Sequence, residues 1–85
     1  MTYANARIIL GLQANNLRKI RDVRIRHNGY EYRVNYWGGF AAYIAVDRRQ
    51  IGKRNFKYFA GVDGSHCLHA EDAMKLVMRT IEEKG

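Results

Sequence analysis

Near the C-terminal end of the chain, apolar residues recur at helical spacing. Those on the shared stripe are Ala70, Ala73, Met74, Val77, Met78 and Ile81. Glu71 and Asp72 fall in the first turn, where the helix dipole favours negative charge. The spacing predicts an amphipathic helix from about His69 to about Glu83, with one face packed on the rest of the domain.

The middle of the chain alternates between apolar and polar residues, with a turn signal at Asn28-Gly29. Asn-Gly is a strong hairpin signal, because both turn positions accept a positive φ. With a two-residue loop, three cross-strand pairs consist of apolar or aromatic residues: Val23 with Val34, Ile25 with Tyr32, and His27 with Tyr30. The apolar side chains then share one face of the hairpin, and the arginines between them share the other.

A second hairpin is expected around the two glycines that follow Trp37. A two-residue Gly38-Gly39 loop would place Arg33 opposite Ile44, which mixes charged and apolar side chains on one face. A three-residue loop over 37–39 removes this conflict and pairs Tyr36 with Phe40, Val34 with Ala42, Tyr32 with Ile44 and Tyr30 with Val46. A further strand is expected over about 55–60, with Phe56 and Tyr58 on one face and Lys57 and Phe59 on the other.

These elements predict an α+β fold in which a three- to four-stranded antiparallel sheet packs on the C-terminal helix. The chain has 85 residues and no proline, and we expect a single domain over 1–85. Its core is expected over 22–85, and 1–21 is expected to be an N-terminal helical extension. Three roles are open to that extension: packing on the sheet, forming a homodimer, or contacting phosphates through Arg18, Lys19 and Arg21.

The basic charge is concentrated in the central part of the chain. The net charge is +7, and eleven of the fifteen lysines and arginines lie between Arg18 and Lys57, with only three of the eight carboxylates. Such a field favours a polyanion through phosphate neutralisation and counterion release. The alternative is a basic protein whose charge only maintains solubility.

The sheet face opposite the predicted helix is expected to carry the binding residues. The candidates expected on this face are Arg24, Arg26, Arg33, Asn35, Tyr43 and Lys57, with Trp37 at a hairpin tip. Further candidates extend the positive surface at one end: Arg48, Arg49, Lys53 and Arg54. A β-ribbon fits the major groove of DNA, and guanidinium groups make bidentate bonds to guanine and to phosphate. The expected partner is therefore duplex DNA.

Several motifs resemble the ethylene-response-factor (Apetala-type) DNA-binding domain of plants and the related domains of phage integrases and homing endonucleases. They are Tyr32-Arg33-Val34, Trp37-Gly38-Gly39-Phe40-Ala41-Ala42-Tyr43-Ile44, Asp47-Arg48-Arg49, Gly52-Lys53-Arg54 and Ala70-Glu71-Asp72-Ala73. The resemblance implies three antiparallel strands with one packed helix, and a sheet that lies in the major groove. It also implies DNA contacts by Arg33, Trp37 and Arg54. The chain departs from the family pattern at Ala45, where the family has a contact arginine.

Other classes of function have little support in the sequence. The single cysteine, Cys67, lies near His66 and His69 without the paired spacing of a zinc site. No motif indicates an enzyme, a cofactor or a small-molecule substrate. No apolar run reaches the length of a membrane helix and no signal peptide is apparent, so a cytoplasmic protein is expected.

Two alternatives to DNA binding remain open. The order of helix, three strands and helix also occurs in double-stranded RNA-binding domains, although their second helix begins with basic residues and here Glu71 and Asp72 take that place. The other alternative is a small inhibitor of a host protein, with Trp37, Tyr43 and Phe59 as an aromatic anchor patch.

Overall fold

A computed structural model describes residues 17–38 and 42–85, which form a four-stranded antiparallel sheet with one α-helix. The chain order is a short 3-10 helix (Leu17–Lys19), β1 (Val23–His27), β2 (Tyr30–Gly38), β3 (Tyr43–Gln50), β4 (Lys57–Asp63) and α1 (Ala70–Lys84). Neighbouring strands in the sheet are also neighbours in the chain, in the order β1-β2-β3-β4. The predicted α+β class is confirmed.

The core lies between α1 and one face of the sheet. Five residues of the predicted helical stripe are buried in it: Ala70, Ala73, Met74, Val77 and Ile81. The sheet contributes alternate residues, among which Ile25, Tyr32, Val34, Ile44 and Val46 have no exposed surface. The helix prediction is confirmed to within one residue at each end. A stripe of this length can be buried favourably only as one face of a helix.

The first hairpin has the predicted register. Val23 pairs with Val34, Ile25 with Tyr32 and His27 with Tyr30. Asn28 and Gly29 both have positive φ, at 49° and 81°, as a two-residue turn of this kind requires.

The predicted register of the second hairpin is wrong by four residues. Val34 pairs with Val46 rather than with Ala42, and Tyr36 pairs with Ile44 rather than with Phe40. The reason is charge pairing on the other face, since the observed register sets Arg33 opposite Asp47 and Glu31 opposite Arg49. Opposite charges across a strand pair stabilise the ladder, and the predicted register had none there. The shift is an even number of residues, so the residues of β3 keep their predicted faces.

The prediction that Lys57 lies on the face opposite the helix is wrong, because β4 contains a β-bulge. Val46 pairs with Ala60 and Asp47 with Tyr58, which leaves Phe59 as an extra residue on β4. The ring of Phe59 packs on the core side, 5.2 Å from that of Tyr32. Lys57 pairs with Arg48 and therefore lies on the helix side of the sheet, not with the arginines of the other face.

Backbone hydrogen bonds close both ends of the sheet. At one end the N–H of Ile51 donates to the carbonyl of Gly29 at 3.0 Å. At the other end the N–H of Tyr36 donates to the carbonyl of Ile20 at 2.8 Å. Ile20 is fully buried, so the chain before β1 packs on the core. The predicted helix over 1–21 and its role in dimerisation lie largely outside the described residues.

Candidate nucleic-acid interface

The sheet face opposite α1, here the outer face, combines arginines, carboxylates and aromatic rings. Alternation along the strands and the bulge in β4 place these side chains on it: Arg24, Arg26, Glu31, Arg33, Asn35, Trp37, Tyr43, Asp47, Arg49, Phe56 and Tyr58. Seven of the eleven predicted DNA-binding residues lie on the outer face, and Arg49 is the one of them at its end. The other four surround the β3–β4 connection.

Glu31 is the electrostatic centre of the outer face. Arg49 donates to its Oε1 from Nη2 at 2.7 Å and from Nε at 3.1 Å. Arg24 reaches the same oxygen at 3.4 Å, and Nε of Arg26 lies 3.6 Å from Oε2. The hydrogen bonds from Arg49, followed by the charges of the other two arginines, lower the pKa of Glu31 against the opposing effect of burial. Sequence reasoning missed this carboxylate, although its place opposite Arg26 follows from the first hairpin.

The other polar groups of the outer face also have intramolecular partners. Nη2 of Arg33 lies 3.3 Å from Oδ2 of Asp47, and Nε of Arg24 lies 2.8 Å from Oδ1 of Asp22. The hydrogen bond to Asp22 is the main cause that raises the pKa of Arg24. The side-chain oxygen of Asn35 accepts a hydrogen bond from the N–H of Asp22 at 2.8 Å. The four arginines of the outer face are thus nearly balanced by its two carboxylates and by Asp22, which directly precedes β1, and the outer face is less positive than the sequence suggests.

Phe56 is a shared platform for three of these arginines. The guanidinium carbons of Arg49, Arg33 and Arg24 lie 4.3, 4.4 and 5.0 Å from its ring centroid. Cations within about 6 Å of an aromatic face are attracted by the ring quadrupole. Because Phe56 belongs to the connection before β4, these contacts hold that connection against the sheet.

Exposed aromatic side chains flank the arginines. Trp37 is 74% exposed and Tyr58 is 65% exposed. The hydroxyl of Tyr43 donates to that of Tyr58 at 3.0 Å, and this hydrogen bond is the main cause that raises the pKa of Tyr43. The ring of Tyr43 lies on the backbone of Gly61, where a Cβ would overlap it.

A basic cleft lies at the end of the sheet that carries the β3–β4 connection, and it is called the β3–β4 cleft below. It has a volume of about 560 Å³ and is lined by Tyr30, Arg48, Arg49, Gln50, Lys53, Arg54, Asn55, Lys57 and Tyr58. Five of these nine residues are basic and none is acidic. All five were among the predicted binding residues, and the structure brings them around one opening.

Three further contacts order the β3–β4 cleft. The guanidinium of Arg48 lies 4.3 Å from the ring centroid of Tyr30 and 4.6 Å from that of Phe59. Nη1 of Arg49 donates to the carbonyl of Arg54 at 3.0 Å, which ties the connection to β3. These contacts hold two arginine side chains in place. Because Arg49 is also ion-paired with Glu31, the net positive charge of the cleft comes from its other four basic side chains.

A second basic cleft, here the β2-end cleft, lies at the opposite end of β2. Its volume is about 530 Å³ and its lining residues are Arg18, Arg21, Tyr36, Trp37 and Gly38. Of these only Trp37 was among the predicted binding residues of the sheet. The register of the first hairpin could have identified the site, because extending it by two residues sets Arg21 beside Tyr36.

The metal-ligating side chains and the cysteine of the described residues were also candidates for a chemical site. Within 17–38 and 42–85, no group of three or more His, Cys, Asp and Glu side chains is placed to hold a metal ion. Burial raises the pKa of the Cys67 thiol, which disfavours the nucleophilic thiolate. Among the same residues, no helix is long and apolar enough to cross a membrane.

Comparison of the chain with protein-family models, with curated proteins and with solved structures gave no match. The strand order β2-β3-β4 followed by α1 is the order that the resemblance to the ethylene-response-factor domain implies. Membership of that family stays a prediction.

Proposed function

We propose that this protein binds duplex DNA, as a small cytoplasmic regulator or recombination accessory protein. The outer face would lie in the major groove, and the β3–β4 cleft would hold the phosphates that border the groove. The observation that carries the proposal is the β3–β4 cleft itself. Five basic side chains line it with no acidic residue among the nine lining residues, and of the five Arg49 is ion-paired with Glu31 of the outer face. A surface of this kind matches the dense negative charge of a nucleic-acid backbone.

The outer face would supply sequence preference rather than most of the affinity. Its arginines already have carboxylate partners. Each contact with a base would therefore replace one hydrogen bond by another, with little net gain in binding free energy. Such exchange favours a base edge that accepts two hydrogen bonds, as guanine does, over a poorly aligned acceptor. Trp37 and Tyr58 are exposed beside them and offer apolar contact to bases or sugars.

Fluorescence anisotropy with labelled duplex DNA, single-stranded DNA and duplex RNA at several salt concentrations tests the proposal. We expect duplex DNA to bind most tightly, with an affinity that falls steeply as salt increases. Replacing Lys53 and Arg54 together by alanine should reduce the slope of log affinity against log salt by about 1 to 2, since each neutralised phosphate contributes roughly 0.9 to that slope.

The matched control is the double variant Lys75→Ala with Arg79→Ala. It also removes two positive charges, but from the exposed surface of α1, on the other side of the molecule. The control should keep the wild-type salt slope. If both double variants lower the slope equally, only net charge matters, and the β3–β4 cleft is not the phosphate site.

A protein partner is the second candidate, because exposed aromatic residues lie on an otherwise charged face: Tyr43 and Tyr58 share a hydrogen bond, and Trp37 lies at the end of β2. Tyr43, Tyr58 and Trp37 resemble the aromatic anchors of protein interfaces. Phe59, which the sequence suggested for this patch, packs on the core side instead. A protein with no affinity for any nucleic acid in the anisotropy experiment would favour this candidate over DNA binding.

A further inference from the structure

We propose that the β2-end cleft is a second phosphate-binding site and that one DNA duplex spans both clefts. This inference rests on the proposed function and extends the interface beyond the outer face to Arg18 and Arg21. It also sets a minimum length for the duplex that the protein binds at full strength.

The lining of the β2-end cleft has the chemistry of a backbone-binding site. Two guanidinium groups, those of Arg18 and Arg21, share it with the rings of Tyr36 and Trp37, and the described residues that line it include no carboxylate. Guanidinium groups bind phosphate oxygens in a bidentate manner, and an exposed indole can pack on a sugar or a base. A small apolar ligand would find little buried apolar surface here, because Trp37 is largely exposed.

The backbone fixes the two arginines relative to the sheet. The N–H of Ile20 donates to the carbonyl of Leu17 at 2.9 Å, and the carbonyl of Ile20 accepts from the N–H of Tyr36 at 2.8 Å. Ile20 itself is fully buried in the core. Arg18 and Arg21 therefore lie on either side of an anchored residue, which lowers the entropy lost when they bind a phosphate.

The two clefts are separated by the length of β2. Tyr30 lines the β3–β4 cleft and Trp37 lines the β2-end cleft, and both belong to this strand. At about 3.3 Å per residue, seven steps along a strand cover roughly 23 Å. Phosphates on one DNA strand are spaced by about 3.4 Å along the helix axis, so this distance corresponds to roughly seven base pairs. A shorter duplex would reach one cleft only.

The test compares two DNA hairpins with the same loop, one with a stem of about five base pairs and one with a stem of about twelve. Wild-type protein should bind the long stem with a steeper salt dependence. The double variant Arg18→Ala with Arg21→Ala should lower the salt slope on the long stem by about 1 to 2, which corresponds to two neutralised phosphates. On the short stem it should change the affinity little, because that stem can occupy the β3–β4 cleft alone.

The double variant Lys75→Ala with Arg79→Ala again controls for net charge, and circular dichroism checks the fold of each variant. If the Arg18 and Arg21 variant loses its fold, the comparison of stem lengths in the wild type decides, since equal affinity and equal slope on both stems would overturn the inference. An unchanged slope for a folded variant on the long stem would overturn it too. Absence of binding to either stem would instead reject the proposed function.

Discussion

Arg49 and Glu31 lie opposite each other on β3 and β2, and Arg49 donates two hydrogen bonds to a single carboxylate oxygen of Glu31. Arg24 and Arg26 approach the same carboxylate from β1. The largely buried carboxylate of Glu31 therefore fixes the positions of three arginine side chains of the outer face. If the protein binds DNA as proposed, the same charge would compete with any phosphate for those arginines and would limit binding to DNA of unrelated sequence.

Removing that charge should make DNA binding tighter and less selective. For Glu31→Gln we expect about three- to tenfold higher affinity for duplexes of arbitrary sequence and a steeper salt dependence, because the released arginines can neutralise phosphates. Anisotropy titrations at several salt concentrations measure both. Glu82→Gln makes the same change of charge on the exposed surface of α1 and serves as the control. Equal gains in the two variants would mean that Glu31 does not restrain the arginines.

Glu31 should also contribute to the loss of stability in acid. Its pKa is lowered in the folded state, so its contribution is complete above the ordinary pKa of glutamate and is lost as the pH falls through the lower folded value. Glu31→Gln should therefore be less stable than the wild type near neutral pH, by about 1 to 2 kcal/mol.

The difference in unfolding free energy between these two proteins should shrink as the pH falls below about 4. Urea unfolding at a series of pH values measures it. A difference that stays constant down to low pH would show that Glu31 is not the titrating group. Asp63, whose pKa is lowered by hydrogen bonds from Ser65, should account for part of the acid sensitivity that remains in the variant.

The ring of Phe56 should stabilise the fold through its π-face and not only through its apolar surface. Phe56→Leu keeps apolar bulk but removes the face that three guanidinium groups contact, and it should cost about 1 kcal/mol or more. Phe56→Trp should retain or increase stability, because tryptophan is the strongest cation–π partner. Urea unfolding distinguishes the two, and equal stability of the leucine variant and the wild type would argue against the platform.

Gly61 should matter because its missing side chain makes room for Tyr43. In Gly61→Ala the new Cβ would displace that ring, and its hydrogen bond to Tyr58 would break. Ultraviolet titration of the tyrosines should then show the pKa of Tyr43 moving down towards its ordinary value. The loss of stability should be no more than about 1 kcal/mol, because the ring is partly exposed and can move.

A double-mutant cycle checks this explanation of Gly61. In a Tyr43→Ala background the same Gly61→Ala change should be neutral or stabilising, since alanine is preferred to glycine within a strand. A similar cost in both backgrounds would place the strain in the backbone of β4 rather than at the ring of Tyr43.

Some features of this fold follow from local patterns and others do not. The stripe from Ala70 to Ile81 and the Asn28-Gly29 turn each allow one favourable arrangement, and both predictions are confirmed. The alternation of apolar residues in β3 defines faces but not partners, because a shift of two or four residues leaves every face unchanged. The ion pairs of Glu31 and Arg33 with β3 select the register, whereas the position of the glycines alone indicated a different loop.

The site was predictable to a similar degree. Clustering of Arg48, Lys53 and Arg54 follows from their nearness in sequence. The ion pairs of Arg33 and Arg49 could not be inferred without the correct pairing of β2 with β3. Phe56 lies on the outer face in place of Lys57 because of a bulge at Phe59. The sequence has no glycine at that position to indicate the bulge.

Because of that bulge, the face on which each β4 side chain lies depends on whether an odd or an even number of residues is inserted or deleted there. With the extra residue at Phe59, Phe56 and Tyr58 point to the arginine side, while Lys57 and Phe59 point to the helix side. Loss or gain of one residue between 57 and 59 would exchange the two pairs, exposing a core ring and directing a lysine outwards among the arginines. A change of two residues would preserve both sides. Length variation in this short stretch should therefore be tolerated in steps of two, whatever the identity of the residues involved.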